Sequence, residues 1–124
     1  VVVRWSGGAV GGRYGVRFRH QDESNYYAFY LGNDGRCEIT KRVNGEKIHL
    51  IEGFSNAIDR MGGENNIRVE AQGCWFTFFV NDQYVTSLHD VDHRLGDVVF
   101  YAHAPQGADF FEASFDNLQV MRFR

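Results

Sequence analysis

The sequence predicts an all-β antiparallel sandwich, and three observations carry that prediction. Apolar residues recur with period two rather than 3.6 in nearly every segment, the signature of strands with one face in a core and one in water. Turn-forming Asn, Asp and Gly residues separate these runs at roughly 8–12-residue intervals, the spacing of sandwich strands. The single proline, Pro105, stands beside Gly107 in a loop and interrupts no run.

Val1–Trp5 opens the chain as a strand. Arg13–His20 alternates Tyr14, Val16 and Phe18 with Arg13, Arg17 and Arg19, a core face and a polar face. In Asn25–Leu31 the better inward set is Tyr27, Phe29 and Leu31, which leaves Tyr26, Ala28 and Tyr30 on the other side. Asn33-Asp34-Gly35 is a turn, because all three residue types tolerate positive φ, and it sends Arg36–Val43 back as a hairpin partner. Asn44-Gly45, the favoured type I′ dipeptide, leads into Lys47–Glu52. Gly53–Asn66 carries Gly62-Gly63 and little alternation, and is expected to be a long connection with one helical turn around Ser55–Arg60. Connections of that length suit crossings between sheets. Asn66–Gln72, Trp75–Val80 and Gln83–Leu88 follow as a meander, turning at Gly73 and at Asn81-Asp82. After the polar stretch His89–Gly96 come Asp97–Ala104, the loop Pro105–Asp109 and a last strand from Phe110 to about Phe123.

Residues 1–124 are expected to form one domain, since a single core commonly serves about 100–200 residues. Apolar residues make up 44% and aromatics 15%, enough for a core without staples. Thirteen basic against sixteen acidic residues leave a net charge of −3, so no excess of cations drives counterion release and nucleic acid is excluded as a partner. No apolar run approaches the roughly 20 residues of a membrane-spanning helix, so no membrane insertion is expected. Cys37 and Cys74 are too few for a disulfide scaffold; a buried thiol at each is the simplest reading, and one bridge stays open. Because the sequence begins at Val1 inside a strand, it is expected to be a domain excised from a longer chain.

The motifs Tyr14-Gly15-Val16-Arg17-Phe18-Arg19, Asn25-Tyr26-Tyr27-Ala28-Phe29-Tyr30 and Val43-Asn44-Gly45 resemble the first half of bacterial concanavalin A-like, laminin G-like jelly-roll domains. Asn66-Ile67-Arg68-Val69-Glu70-Ala71, Phe76-Thr77-Phe78-Phe79-Val80-Asn81-Asp82 and Phe115-Asp116-Asn117-Leu118-Gln119-Val120 follow in the order such domains use. The resemblance runs from about Tyr14 to Val120 and rests on turns and core positions, so it speaks to fold more than to function. It implies a two-sheet antiparallel jelly-roll sandwich of the concanavalin A-like class. That class includes glycan-binding lectins, adhesion modules, glucanases and a group related to 3-keto-disaccharide hydrolases, so the resemblance implies a carbohydrate-linked setting at the cell surface or outside the cell. Fold does not choose among these roles. One turn departs from the common pattern, Asn81-Asp82 standing where Asn-Gly is usual.

The candidate site follows from strand parity. With Val16, Phe18, Tyr27, Phe29, Leu31, Ile39, Phe100 and Ala102 in the core, the opposite face carries Arg17, Arg19, Tyr26, Tyr30, Glu38, Thr40, Arg42, Tyr101 and His103. Aromatic faces cover the C–H patches of sugars, and forked polar groups bind hydroxyls, so this surface suits a glycan. The same residues also make an ordinary sheet exterior if the charges pair across strands under the tyrosines. Trp75 and Phe79 are expected to point outward as a patch for a partner protein or neighbouring domain.

Catalytic signals are sparse. A retaining glucanase needs two carboxyls about 5–5.5 Å apart, and an inverting enzyme about 6.5–9.5 Å. No Glu-x-Asp-x-Glu triplet is present, and Glu38, Glu70 and Glu112 are the only strand acids that a glycoside-cleaving alternative has to offer. His89-Asp90-Val91-Asp92-His93 looks like a metal cluster only if helical, and it lies in a loop. Calcium fits the class better. It takes loop carboxylates and backbone oxygens, with Asp34, Asp90, Asp92 and Asp109 as candidate donors. No Gly-x-Ser-x-Gly elbow or phosphate-cradling loop occurs.

Overall fold

The computed structural model describes residues 1–8, 12–60, 64–103 and 111–116. Every regular element among them is a strand: β1 (Val2–Gly8), β2 (Arg13–Asp22), β3 (Asn25–Gly32), β4 (Arg36–Val43), β5 (Glu46–Phe54), β6 (Glu64–Gln72), β7 (Trp75–Val80), β8 (Gln83–His89), β9 (Asp97–His103) and β10 (Phe111–Asp116). They form two five-stranded antiparallel sheets, ordered β10-β1-β6-β7-β8 and β5-β4-β3-β2-β9. The chain changes sheet after β1, β5, β8 and β9, so the antiparallel sandwich that the alternation and the turns predict has the jelly-roll form that the family resemblance implies.

Between the sheets lie the residues that parity assigns to the core. Tyr14, Val16, Phe18, Tyr27, Phe29, Leu31, Cys37 and Ile39 of one sheet meet Val3, Ile67, Phe76, Phe78 and Val80 of the other. Rings interlock across the gap, Phe29 with Phe78 and Tyr27 with Phe76, each pair 5.0 Å between centroids. Phe100 and Ala102 need correction. They pair with Val16 and Tyr14 and so share the core-facing side. But β9 is an edge strand, and both are exposed there, Phe100 stacking on Phe115 at 4.8 Å.

The two tight turns behave as their residues predict. Asn44 and Gly45 both have positive φ (49° and 84°), as do Asn81 and Asp82 (52° and 61°). Asp82 therefore takes the place of glycine at tolerable cost, because its short polar side chain suits the left-handed region.

The connection before β6 is shorter than expected, and its described residues, Ser55–Arg60, hold no helix. β5 runs on to Phe54, β6 begins at Glu64, and Ser55–Arg60 forms turns that bury Ala57 and Ile58. Its anchor is Asn65, which is fully buried. The Asn65 amide donates to the Tyr14 hydroxyl (2.7 Å) and the Asp59 carbonyl (3.2 Å). Its carbonyl oxygen accepts from the Asp59 N–H (2.7 Å) and from the Asn81 amide (2.9 Å), which also reaches the Ala57 carbonyl (2.9 Å). One side chain thus ties the β5–β6 connection to the β7–β8 turn and to the opposite sheet. Asn65→Ala strands several buried polar groups at about 1–3 kcal/mol each, so urea denaturation should show a loss of about 2–4 kcal/mol. Gln72→Ala, exposed on the same strand, should stay within about 0.5 kcal/mol.

Candidate functional site

The face of the β5-β4-β3-β2-β9 sheet turned away from the core is built in register. Glu38, Tyr30, Gly15 and Tyr101 line up across β4, β3, β2 and β9. The next row is Thr40, Ala28, Arg17 and Val99, and the one beyond it holds Lys47, Arg42 and Tyr26. Arg13 and His103 pair at the other end.

Gly15 decides how this face is covered. It is flanked by tyrosines on both neighbouring strands, and with no side chain between them Tyr30 and Tyr101 stack over it at 4.7 Å. A Cβ at Gly15 would lie 2.0 Å from the Phe29 carbonyl oxygen. The Arg17 guanidinium lies over the rings of both Tyr26 (4.5 Å) and Tyr101 (4.3 Å), and its Nε–H donates to the Tyr30 hydroxyl at 2.8 Å. Arg42 Nε donates to the Tyr26 hydroxyl (3.1 Å), and Arg42 also donates to the Gly45 carbonyl (2.9 Å). Arg13 is ion-paired with Glu38. His20 stacks on Tyr26 at 5.4 Å, and His103 lies parallel to Tyr101 at 6.1 Å.

Seven of the expected residues therefore stand together: Arg17, Tyr26, Tyr30, Glu38, Arg42, Tyr101 and His103. Their exposure differs from expectation. Tyr26 and Tyr30 are only 5% exposed and Glu38 3%, and the two tyrosines form with Ala28 a second buried cluster on the outer face. The tyrosine rings are covered by each other and by Arg17, and are not open platforms for a sugar. What the face presents is guanidinium edges, Tyr101 and His103. Burial pushes the Tyr30 hydroxyl up to about 12 even though Arg17 pulls the other way. Burial also works against the charge on Arg17, but its bond to Tyr30 and the nearby Glu23 more than offset it and raise its pKa.

Arg19 is a correction. It was expected beside Arg17, but its φ is 47° and the β2–β3 register shifts between Phe18 and Asp22. That irregularity turns Arg19 to the core side, where its guanidinium lies 4.8 Å from the Phe76 ring centroid and donates to the His93 carbonyl at 3.2 Å. His20 takes its place on the tyrosine face. Gly96 makes this possible by close approach, since a Cβ there would lie 2.3 Å from the Arg19 carbonyl carbon. Sequence reasoning left Arg13, His20 and Glu23 out of the site. Arg13 shares the parity of Arg17 and was within reach; His20 was hidden by the irregularity.

The acidic loop is organised around a lysine. Lys41 Nζ lies 2.7 Å from Asp90 Oδ2 and 2.6 Å from Asp92 Oδ2. The Tyr27 hydroxyl donates to Asp90 Oδ1 (2.5 Å) and accepts the His93 N–H (3.1 Å). His93 is buried and its Nε2–H donates to the Arg42 carbonyl at 2.8 Å, whereas His89 packs against Trp75 at 4.6 Å. The two histidines share no site. Asp34 accepts the Arg36 N–H in the β3–β4 turn (3.0 Å), at the other end of β3 and β4, and Asp109 lies outside the described residues. Among the described residues, no three His, Cys, Asp or Glu side chains gather as a metal site.

On the outer face of the other sheet Trp75 is 64% exposed, as expected. Phe79 points outward too, but it is half-buried under the Arg68 guanidinium, 4.1 Å from its ring centroid, with Tyr84 edge-on at 6.2 Å. Glu70, ion-paired with Arg68, lies on this face, whereas Glu38 lies on the far side of the sandwich, and Glu112 sits in β10 opposite Gly7. Glu38 and Glu70 are thus not an opposed carboxylate pair.

Comparison with known proteins places the fold. No protein-family model matches the chain, and no curated protein matches it in sequence. Among solved structures it is similar to a carbohydrate binding module, CBM66, from Bacillus subtilis, with a TM-score of 0.64 and 20% identity over 82% of this chain. The match covers 61% of that module, so the chain spans less than two-thirds of its length. It is also similar to sheep galectin-11 in complex with glycerol, with a TM-score of 0.59 and 14% identity over 91% of this chain and 88% of that one. At these identities the likeness is one of fold, the β-sandwich jelly roll.

The lysine clamp predicts acid sensitivity. Burial favours the neutral form of Asp90, but the hydrogen bonds from Lys41, Tyr27 and the Asp92 N–H outweigh it and hold its pKa below the ordinary carboxylate value. A depressed carboxylate stabilises the fold above about pH 4 and loses that contribution as pH falls through its folded pKa. Asp90→Asn should therefore cost about 1–3 kcal/mol at pH 7, and the gap to the wild type should narrow as the pH falls below the ordinary carboxylate range, measured by urea unfolding across pH.

Proposed function

We propose that this domain is a non-catalytic carbohydrate-binding module that recognises its ligand on the tyrosine–arginine face of the β5-β4-β3-β2-β9 sheet. The observation that carries the reading is the fixed Arg17 guanidinium, held between Tyr26 and Tyr101 and hydrogen-bonded to Tyr30. Planar forks immobilised before the ligand arrives bind oxygen pairs at low entropic cost. Arg42, Tyr101 and His103 extend the polar rim around it, and Arg13 with Glu38 closes one end. The jelly-roll likeness to a carbohydrate binding module and a galectin supports this reading. So does the placement of Glu38 and Glu70 on opposite outer faces, which favours binding over glycoside cleavage. Within the jelly-roll fold the reading keeps the chain in the concanavalin A-like, laminin G-like class, as an adhesion-type module of a larger surface or secreted protein.

A second reading rests on Trp75, whose 64% exposure leaves a large apolar ring beside His89 and on the same face as Tyr84. Under it, this sheet docks a neighbouring protein domain and the domain needs no glycan.

A glycan array probed with the purified domain separates the two. The proposal expects a defined glycan to bind, with Arg17→Ala and His103→Ala each weakening it by about tenfold or more, the loss of roughly 1.4 kcal/mol. Tyr30→Ala is a poorer probe because that ring is buried. Lys41 already meets the charge of Asp90 and Asp92, so binding in calcium and in chelator should be equal. Silence across the array, with Trp75→Ala abolishing self-association or partner capture, would replace this reading with the second.

A further inference from the structure

The ion pairs on the proposed face are of two opposite kinds. Glu38 is buried (4% side-chain exposure) and its partner Arg13 is the more open member at 32%. At Arg17 the order is reversed: the guanidinium is 13% exposed and Glu23, its counter-ion, 78%. Glu23 Oε2 accepts from Arg17 Nη1 at 3.0 Å, and Glu23 Oε1 accepts from His20 Nε2 at 3.2 Å. A solvated carboxylate thus bridges two largely buried basic groups. Among the described residues these are its two side-chain partners. The β2–β3 turn is fixed by Asp22 Oδ1, which accepts from the Ser24 N–H (2.8 Å) and the Asn25 amide (3.1 Å), and by the Gly45 N–H on the Ser24 carbonyl (3.0 Å). Nearby, Arg42 donates to neutral oxygens and has Lys47 directly across the strand pair, two cations side by side. Like charges opposed across strands are unfavourable until an anion joins them.

We propose, resting on the carbohydrate-binding reading, that the ligand is an acidic glycan and that Glu23 occupies the seat of its carboxylate. A hexuronate carboxylate takes the Arg17 Nη1 and His20 Nε2 contacts as Glu23 swings into solvent, while the hydroxyls of the same sugar reach Arg42 and Tyr101. Exchange of one carboxylate for another keeps the charge balance of the buried basic pair, and an exposed ion pair gives way easily. An uncharged sugar cannot make this exchange.

The test compares oligogalacturonate with an uncharged galacto-oligosaccharide on wild type, Glu23→Gln and Arg17→Lys, by calorimetry and by amide chemical-shift mapping. Poly-glutamate serves as the control for charge alone. Wild type should bind oligogalacturonate at the Arg17 face. Glu23→Gln, a surface change that leaves the turn intact, should bind it about two- to fivefold tighter, the worth of one exposed pair. Arg17→Lys should lose about tenfold or more, since an ammonium does not reproduce the fork. Equal binding of the two sugars at the same face, with Glu23→Gln leaving the affinity for oligogalacturonate unchanged, would overturn the acidic-glycan inference and leave the carbohydrate site standing. Poly-glutamate binding as well as oligogalacturonate would overturn it as a reading of charge alone. Absence of any sugar-induced shift on that face would overturn both.

Discussion

A sheet face turned away from the core stays dry only if its own side chains roof it over, and here one guanidinium completes the roof. Arg17 fills the space between Tyr26 and Tyr101 and binds the Tyr30 hydroxyl, so three phenol groups and a cation become a single layer. Cation–π contact suits this place because Arg is weakly hydrated and stacks flat, giving up less solvation than an ammonium would. The layer depends on a missing side chain. Only glycine at position 15 lets Tyr30 and Tyr101 meet across β2. The outcome is a face whose donors are fixed in direction before anything binds.

Two polar nodes hold the sandwich around that layer. Asn65 joins the β5–β6 connection and the β7–β8 turn to Tyr14, and Lys41 joins the 90–93 loop to β4 through two carboxylates. The second node also sets the site. His93, held by Tyr27 and the Arg42 carbonyl, presents the carbonyl that receives Arg19, and Gly96 lies against the irregularity that puts His20 on the tyrosine face. Loop, core and candidate site are therefore one connected network of hydrogen bonds rather than separate features.

Much of this was legible in the sequence. Alternation in Arg13–Phe18 and Asn25–Leu31 placed Tyr14, Val16, Phe18, Tyr27, Phe29 and Leu31 in the core, and Asn44-Gly45 and Asn81-Asp82 marked their turns. The same alternation grouped Arg17, Tyr26, Tyr30, Glu38, Arg42, Tyr101 and His103 on one face. Their burial was not legible, because a period-two pattern assigns one side to the core and the other to water and has no place for a roofed outer face. Gly15 was the available signal, since a glycine inside a strand marks close approach of neighbours. Arg19 was beyond reach: positive φ at an arginine has no sequence signature. Nor does local pattern show that Lys41 meets Asp90, a contact made only when β4 and a loop 49 positions onward come together.

If the Arg17 fork is fixed in the free protein, arginine side-chain NMR will register it in the Nε–H resonances of the unliganded domain. A fixed fork gives a separate, ring-current-shifted Arg17 Nε–H signal, slow to exchange and with cross-relaxation to the rings of Tyr26 and Tyr101. An Arg17 signal averaged among the solvent-exposed arginines, with no contact to either ring, would contradict it.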